Sequence, residues 1–197
     1  MSLATLEKYL PKDALFYVEK WLQPFPIEIR ISRNRESKLG DYRYHPIKRC
    51  HQISVNYNLP PDLFFFVLSH EIAHLLVRVS FPRAQAHGPE WKNAYRELLL
   101  ESVLVYQEDF QPLVEQFSTN PKANFSVSPE IVNYFRPQTN ASSFDGLKSG
   151  NLFEFRQQRY QLLEKKKKRY LCRNVSTGKE YLFQACAEIK IVANDSR

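Results

Sequence analysis

Apolar positions in the first third of the chain follow a helical period and then alternate. Within residues 3–22 they fall near one face of a helical projection, which predicts a helix that Pro11 breaks or kinks. Apolar and polar residues alternate at 27–32 and at 51–59, and a further short strand is predicted at 37–44. The pattern therefore predicts a small three-stranded sheet after an N-terminal helical segment.

The next stretch is apolar almost all the way round a helix. Over residues 63–79 the polar positions are a His-Glu-His set, one serine and one arginine. A helix that is hydrophobic on every side is buried, so this one is predicted to run through the core. Phe81-Pro82 ends it, and a second helix is predicted over about 91–104.

Beyond residue 106 the pattern is first irregular and then β-like. Residues 107–149 contain four of the 12 prolines and a polar, linker-like run, whereas short alternating stretches after residue 152 predict a few strands. The predicted fold class is α+β. It divides into a domain at 1–106, with the small sheet, the buried helix and flanking helices, an irregular or helical connector at 107–149, and a small basic β module at 150–197.

The composition fits a globular protein whose basic charge is local. Its 197 residues, 43% of them hydrophobic, are enough for one domain of ordinary size and a small appendage. Residues 150–197 hold 11 of the 28 Lys and Arg residues but only 5 of the 21 Asp and Glu residues, so most of the net charge of +7 lies there. A secretory signal and an uncharged apolar run of about 18 residues are both missing, which predicts a cytoplasmic protein outside membranes.

The cysteines argue against a disulfide framework and against a structural zinc ribbon. Cys50, Cys172 and Cys186 stand far apart and form no Cys-x-x-Cys pair. We therefore predict buried free thiols. The β module is then expected to be stabilised by an apolar core that includes Leu171, Tyr181, Phe183 and Ile189.

The strongest chemical signal is the sequence His70-Glu71-Ile-Ala-His74 in the buried helix. Positions four apart on a helix lie on one face, so both imidazoles can reach one ion. Glu71 lies beside that face, where a carboxylate can take a proton from a metal-bound water. Zinc with three protein ligands and one open position lowers the pKa of that water to about 7. The pattern predicts a zinc hydrolase with Glu71 as general base.

The alternative is a histidine-bearing core helix without a metal. Its two histidines and its glutamate would then be buried polar groups, each costing about 1–3 kcal/mol if it is unsatisfied. A metal ion with its water removes that cost for all three groups. The pattern therefore favours the metal site.

The third ligand is less clear from the residues alone. A metzincin would have glycine and histidine where this chain has Val77 and Ser80, so that class is excluded. His87 stands in a loop at the start of the second predicted helix, and a neutral imidazole there can swing toward the metal. Glu90 and Glu97 in that helix are the alternatives, and we favour His87.

The whole element resembles the SprT-like zinc metallopeptidases, which include the Spartan protease domain. The likeness rests on His70-Glu71-x-x-His74, a spacer of about a dozen residues, and His-Gly-Pro-Glu-Trp at 87–91, and it covers about residues 20–105. It implies a zincin-like fold, one zinc ion held by His70, His74 and His87, Glu71 as general base, and peptide-bond hydrolysis. Known members act on proteins bound or crosslinked to DNA. Bacterial members that finish in a cysteine zinc ribbon differ from this chain, so one zinc ion is expected.

Basic and aromatic residues interleave in the β module. Lysine and arginine neutralise phosphates, and aromatic faces stack on unpaired bases, which makes single-stranded or branched nucleic acid a candidate partner. The alternative is a solvated hairpin whose aromatic residues form the core of the module. A second class of function follows, a nucleic-acid-binding protein with a structural zinc and no proteolysis. The basic candidates are Arg156, Arg159, Lys165, Lys166, Lys167, Lys168 and Arg169, and the aromatic ones are Phe153, Phe155, Tyr160 and Tyr170.

Three further predictions concern the surroundings of the site. The strand at 53–57 is expected to be an exposed edge that pairs with an extended peptide substrate. His45 and His51 lack metal-ligand spacing and are expected at the surface or on an edge strand. A hydroxyl that stabilises the oxyanion is also needed, and the residues do not select among Tyr42, Tyr44, Tyr57 and Tyr95.

Overall fold

A computed structural model shows a mixed α+β protein with two compact units. The units are Met1–Ile131 and Val132–Arg197. The division predicted from the sequence, into 1–106, 107–149 and 150–197, stays a prediction. The structure describes residues 3–35, 38–124, 127–135, 144, 146–167, 169–184, 187 and 189–192.

The first unit combines helices with a small sheet, as predicted. Pro11 lies in the break between the first two helices, which is one of the two outcomes, a break or a kink, that the sequence predicts. The last of its helices crosses the boundary between the two units. The elements are α1 (Leu3–Leu6), α2 (Ala14–Leu22), β1 (Ile27–Ser32), β2 (Gly40–His45), β3 (Cys50–Asn56), α3 (Pro61–Ser80), α4 (Pro89–Glu101), α5 (Gln111–Ser118) and α6 (Pro129–Tyr134).

The strand order and the burial of the central strand correct two predictions about the surroundings of the site. Within the described residues the sheet has the order β1-β3-β2, with β1 parallel and β2 antiparallel to β3. The prediction of an exposed edge at 53–57 is therefore wrong, because β3 is central and Ile53 and Val55 are fully buried. His51 also lies on β3 and is only 6% exposed, so its expected place at a surface or edge is wrong as well. The alternation that identifies a strand carries no information about its neighbours.

Helix α3 is buried because it meets a different neighbour on each side. Successive residues on a helix point about 100° apart, so three consecutive phenylalanines contact three different parts of the unit. The ring of Phe64 stacks with Tyr9, that of Phe65 stacks with Trp21, and that of Phe66 contacts aromatic rings of α4 and α5. In the described part of the chain α3 alone is long and apolar enough to cross a membrane, and 67% of its apolar window is buried inside the protein, as in a core helix.

The second unit contains an antiparallel sheet. Its strands are β4 (Leu152–Phe155), β5 (Gln158–Lys165), β6 (Arg169–Asn174), β7 (Glu180–Gln184) and β8 (Lys190–Val192). Among the described residues the sheet has the order β7-β6-β5-β4-β8. Its core is largely aromatic and comprises Phe144, Phe153, Tyr160, Leu162, Tyr170, Cys172, Phe183 and Ile189.

The predicted core of this unit is correct for two of its four residues. Phe183 and Ile189 are buried, whereas Leu171 is partly exposed and Tyr181 is 43% exposed. Leu171 pairs with Leu182 on the opposite face of the sheet from Tyr170 and Phe183, because neighbouring residues of a strand point to opposite faces. Cys186 lies outside the described residues.

Loss of the Phe153 ring should destabilise the second unit strongly. Phe153 is fully buried, and its ring lies within 5.0–5.6 Å of the rings of Phe144, Tyr160 and Phe183. We expect Phe153→Ala to lower the free energy of unfolding by about 3–5 kcal/mol, because the cavity cannot collapse among rigid rings. Urea denaturation followed by far-UV circular dichroism measures the change.

A matched variant and a separate probe make this result specific. Leu182 is 52% exposed, so Leu182→Ala should leave the transition nearly unchanged. Both tryptophans, Trp21 and Trp91, lie in the first unit, and their fluorescence reports on that unit alone. A Phe153→Ala protein as stable as Leu182→Ala would contradict the assignment of this core.

Candidate metal centre

Two of the predicted ligands come from the middle of α3 and the third from the turn that follows it. His70 and His74 lie one helical turn apart, and α3 ends at Ser80, where the chain reverses toward α4. His87 has a φ of 57°, a left-handed conformation that is uncommon for a residue with a side chain. The amide of Gly88 donates to the Gln85 carbonyl at 2.9 Å and closes the turn. Such strained residues cluster at functional sites.

The three imidazoles converge through the same ring atom. The Nε2 atoms of His70 and His74 are 3.2 Å apart, those of His74 and His87 are 3.0 Å apart, and those of His87 and His70 are 3.3 Å apart. Nitrogen ligands at about 2.0–2.1 Å from a tetrahedral zinc ion lie about 3.3–3.4 Å from one another. The separations and the all-imidazole donor set therefore fit a zinc ion.

Burial keeps the three imidazoles in the form that binds metal. Burial lowers the pKa of His70 to about 3 and that of His74 to about 4, and neighbouring histidines add to both shifts. Burial lowers the pKa of His87 as well. All three rings are thus neutral at pH 7, and neutral imidazole is the form with a free lone pair for a metal.

Glu71 lies beside this cluster, against strand β2. It is 6% exposed, and burial raises the pKa of its carboxyl to about 8, with a further contribution from the charge of Asp41. Arg35, Lys38 and the backbone amide of Tyr42 oppose this shift of the pKa. A buried carboxylate with a pKa near neutrality is suited to accept and return a proton.

Gly40 is a residue of the site that the sequence reasoning missed. A Cβ atom on Gly40 would lie 2.4 Å from Oε1 of Glu71 and 2.8 Å from its Cγ. The backbone of β2 therefore approaches the carboxylate as closely as only glycine permits. The available signal was a glycine at the start of a strand pattern, which marks a close backbone approach.

The ring of Trp91 packs against all three histidine rings. It is fully buried, and its ring centroid lies 4.6 Å from that of His70, 5.4 Å from that of His74 and 4.6 Å from that of His87. Its Nε1–H donates to the His70 carbonyl at 3.4 Å. Such contacts restrict the rings to the orientation in which their Nε2 atoms meet.

The glutamates proposed as alternative third ligands do not join the cluster. Glu97 lies on α4 with its side chain exposed, and Glu90 is partly exposed beside Gly88. Among the described residues, the group of metal-ligating side chains that lie within reach of one ion consists of His70, His74 and His87.

Two of the four candidate tyrosines have hydroxyls that are hydrogen bonded to other residues. The Tyr95 hydroxyl donates to the Phe66 carbonyl at 2.9 Å, and the Tyr42 hydroxyl is hydrogen bonded to Nδ1 of His51 at 2.9 Å. Tyr44 and Tyr57 do not line the cavity over the site. Tyr42 and Tyr95 do line it.

A cavity of about 680 Å³ opens over the cluster. One wall is the edge strand β2 with the residues before it, and another is the segment 122–124 that follows α5. The histidines and Glu71 form part of its lining. Its size lies within the usual range for ligand sites, which is about 300–1,000 Å³.

The basic candidates of the second unit lie at two ends of its sheet. Arg156 and Arg159 flank the turn between β4 and β5, whereas Lys165–Lys167 and Arg169 flank the turn between β5 and β6. Strand β5 has 8 residues, which separates the two turns by about 25 Å at about 3.3 Å per residue. Lys168 lies outside the described residues.

The aromatic candidates belong to the core of this unit. Phe153, Tyr160 and Tyr170 are 0–7% exposed, and Phe155 packs against the same cluster. The rings of Phe153, Tyr160 and Tyr170 pack against other rings of the core, and Phe155 is the partly exposed member of the set. The alternative in which these residues form the core is the one that the structure shows.

A protein-family model matches part of the chain. Residues 13–106 match the model of the SprT-like family, and this segment contains the three histidines and Glu71. The resemblance predicted from the sequence is thereby confirmed. Curated proteins and solved structures gave no match.

Proposed function

Because residues 13–106 match the model of the SprT-like family, we propose that this protein is a zinc-dependent peptidase with a zincin-like active site. The observation that carries the proposal is the meeting of three Nε2 atoms within 3.0–3.3 Å beside a buried glutamate. Cleavage of a protein by the zinc-loaded chain, lost in a Glu71→Gln variant that keeps its zinc, tests it.

The histidines and the glutamate divide the chemical work. His70, His74 and His87 would hold the zinc ion, which supplies a Lewis acid that polarises the scissile carbonyl and acidifies the attacking water. Glu71 accepts a proton from that water at its carboxylate and returns it to the leaving amine. The surrounding protein keeps this carboxyl poorly solvated, which favours both transfers.

Strand β2 is the place where an extended peptide would pair. In the described part of the chain β2 pairs with β3 on one side, and residues 40–42 line the cavity on the other. The Leu39 carbonyl accepts from Asn56 of β3, so in an antiparallel ladder Gly40 and Tyr42 direct their backbone groups to the open side. Pairing through backbone atoms would make cleavage weakly selective for sequence.

We further propose that the substrates include proteins bound to DNA, with the β5–β6 turn as the contact with DNA. Lys165, Lys166, Lys167 and Arg169 are all exposed there. Exposed cations at the tip of a hairpin can neutralise phosphates without base stacking. The second candidate function, nucleic-acid binding with a structural zinc and no proteolysis, uses the same surface and would survive loss of Glu71.

Charge reversal at this turn should weaken DNA binding selectively. We expect Lys166→Glu with Lys167→Glu to reduce the slope of log K against log salt by about 1.4 for single-stranded DNA, because about 0.7 is lost per phosphate contact. Fluorescence anisotropy over a salt series measures it. Arg156→Glu with Arg159→Glu at the opposite turn is the matched control, and absence of binding by the wild type at low salt would refute the proposal.

A further inference from the structure

Three residues of β2 lie on the side of the sheet that faces α3. They are neither proposed metal ligands nor the proposed general base. Alternate residues of a strand share a face, so Gly40, Tyr42 and Tyr44 lie together. They pair with Val55, Ile53 and His51 of β3. Asp41 and Arg43 point to the other face, where they form an ion pair.

Gly40 leaves the space that the glutamate occupies. The nearest atoms to a Cβ at this position would be Oε1 of Glu71 at 2.4 Å, Cγ of Glu71 at 2.8 Å and Cγ1 of Val67 at 2.8 Å. Glu71 is the longer and more flexible of these two side chains. A methyl group on Gly40 would therefore displace the Glu71 carboxylate before it displaced the backbone.

Tyr42 joins the glutamate, a metal ligand and a buried histidine. Its backbone amide interacts favourably with the Glu71 carboxylate, and both residues line the same cavity. Its ring lies 6.3 Å from that of His74, with only 8° between the two planes. Its hydroxyl is 2.9 Å from Nδ1 of His51. One residue thus contacts both the general base and a ligand, and its far end is tied to β3.

His51 is well placed to hold Tyr42 still. It lies on the central strand, where its amide donates to the Pro26 carbonyl at 2.9 Å. Its ring is packed by Tyr44 at 4.9 Å and by Phe25 at 6.1 Å, and the residue is 6% exposed. Because the His51 ring is enclosed on these sides, it presents Nδ1 to the Tyr42 hydroxyl in one orientation.

We propose that strand β2 positions the general base, with Gly40 admitting the Glu71 carboxylate and Tyr42, anchored by His51, holding it and His74 in place. This inference rests on the proposed function for its catalytic consequence, but its geometry can be tested without catalysis. Gly40, Tyr42 and His51 are positioning residues that act through Glu71 and His74.

A stability cycle on the metal-free protein tests the contact at Gly40. Gly40→Ala, Glu71→Ala and Val67→Ala are made singly, and Gly40→Ala is combined with each of the other two. We expect the loss of melting temperature caused by Gly40→Ala to shrink in the Glu71→Ala background. Coupling to Val67→Ala with none to Glu71→Ala would overturn the proposed role of Gly40, and so would a Gly40→Ala variant that melts with the wild type.

Kinetics on the zinc-loaded protein test the consequence. Gly40→Ala should lower kcat about 100-fold, since a displacement of about 1 Å at the base costs that much, while zinc content and KM stay unchanged. A kcat equal to that of the wild type refutes the inference. If the wild type cleaves no protein, the proposed function fails, and the stability cycle still decides the geometry.

A second pair of variants tests the anchor. Tyr42→Phe and His51→Phe each remove one side of the hydrogen bond and keep a ring, and each should lower kcat or zinc affinity about 10-fold. The double variant should lose no more than either single variant, because the two residues act as one unit. Tyr44→Phe, on the same strand and against the same histidine, is the control. Additive losses, or an equal loss in Tyr44→Phe, would overturn the role of the anchor.

Discussion

Glu71→Gln is expected to lower kcat about 1,000-fold while the protein keeps its zinc. Glutamine retains the size of the side chain but has no lone pair basic enough to accept a proton, and general acid–base catalysis contributes about 10²–10⁴-fold. Zinc should stay because the group of side chains proposed to bind it consists of the three imidazoles and excludes Glu71. Cleavage of an unfolded protein substrate, with zinc measured on the same samples, gives both numbers.

A second glutamate supplies the control for this experiment. Glu97 is exposed on α4 and lies away from the cluster, so Glu97→Gln should cleave at the wild-type rate. A Glu71→Gln protein that binds zinc and still cleaves at the wild-type rate would remove Glu71 from the mechanism. A Glu71→Gln or Glu97→Gln protein that cleaves normally but no longer binds DNA would be inconsistent with both candidate functions.

His87→Ala is expected to lower zinc affinity by more than about 100-fold. Even residues that only orient a ligand change metal affinity about 10–100-fold, and His87 provides one of three donor atoms. Two histidines on one helical turn would remain, and the tetrahedral site would lose a third of its protein ligands. Zinc retained after dialysis against a chelator measures the effect.

Thermal stability provides an independent measure of the same site. Zinc at about 1,000 times its dissociation constant stabilises the folded wild type by about 4 kcal/mol, because it binds the folded state alone. At the same zinc concentration this gain should fall to about 1.4 kcal/mol or less in His87→Ala, because affinity drops at least about 100-fold, and it should persist in Glu90→Gln and Glu97→Gln. If Glu97→Gln loses zinc and His87→Ala keeps it, the third ligand is the carboxylate.

Local patterns predicted the parts of the site that lie on one element. The spacing of His70 and His74 already implied a shared helical face, and the apolar residues around them already implied a buried helix. Both follow from backbone geometry within a few residues. The strands of the first sheet were predictable for the same reason, because alternation is a local property.

Features that join distant segments were predicted less well. The position of β3 between two strands was missed, and with it the burial of His51 and the identity of the edge beside the cavity. The contact between Gly40 and Glu71 joins residues 31 positions apart, and the glycine itself is the one sign of it in the sequence. The aromatic residues of the β module suited either stacking or a core until their neighbours were known.

The sequence by itself predicted the donor types, the two histidines on one face of α3, the glutamate beside them and the family whose model matches residues 13–106. The tertiary structure decided that the His87 ring reaches the same point, that β2 forms the wall of the cavity, and that the basic residues are divided between two turns. The period of apolar residues along the chain reflects which local structure, helix or strand, buries the apolar side chains of one short segment. The meeting of remote segments depends instead on how all the buried surfaces pack at once, and no single stretch of sequence encodes that.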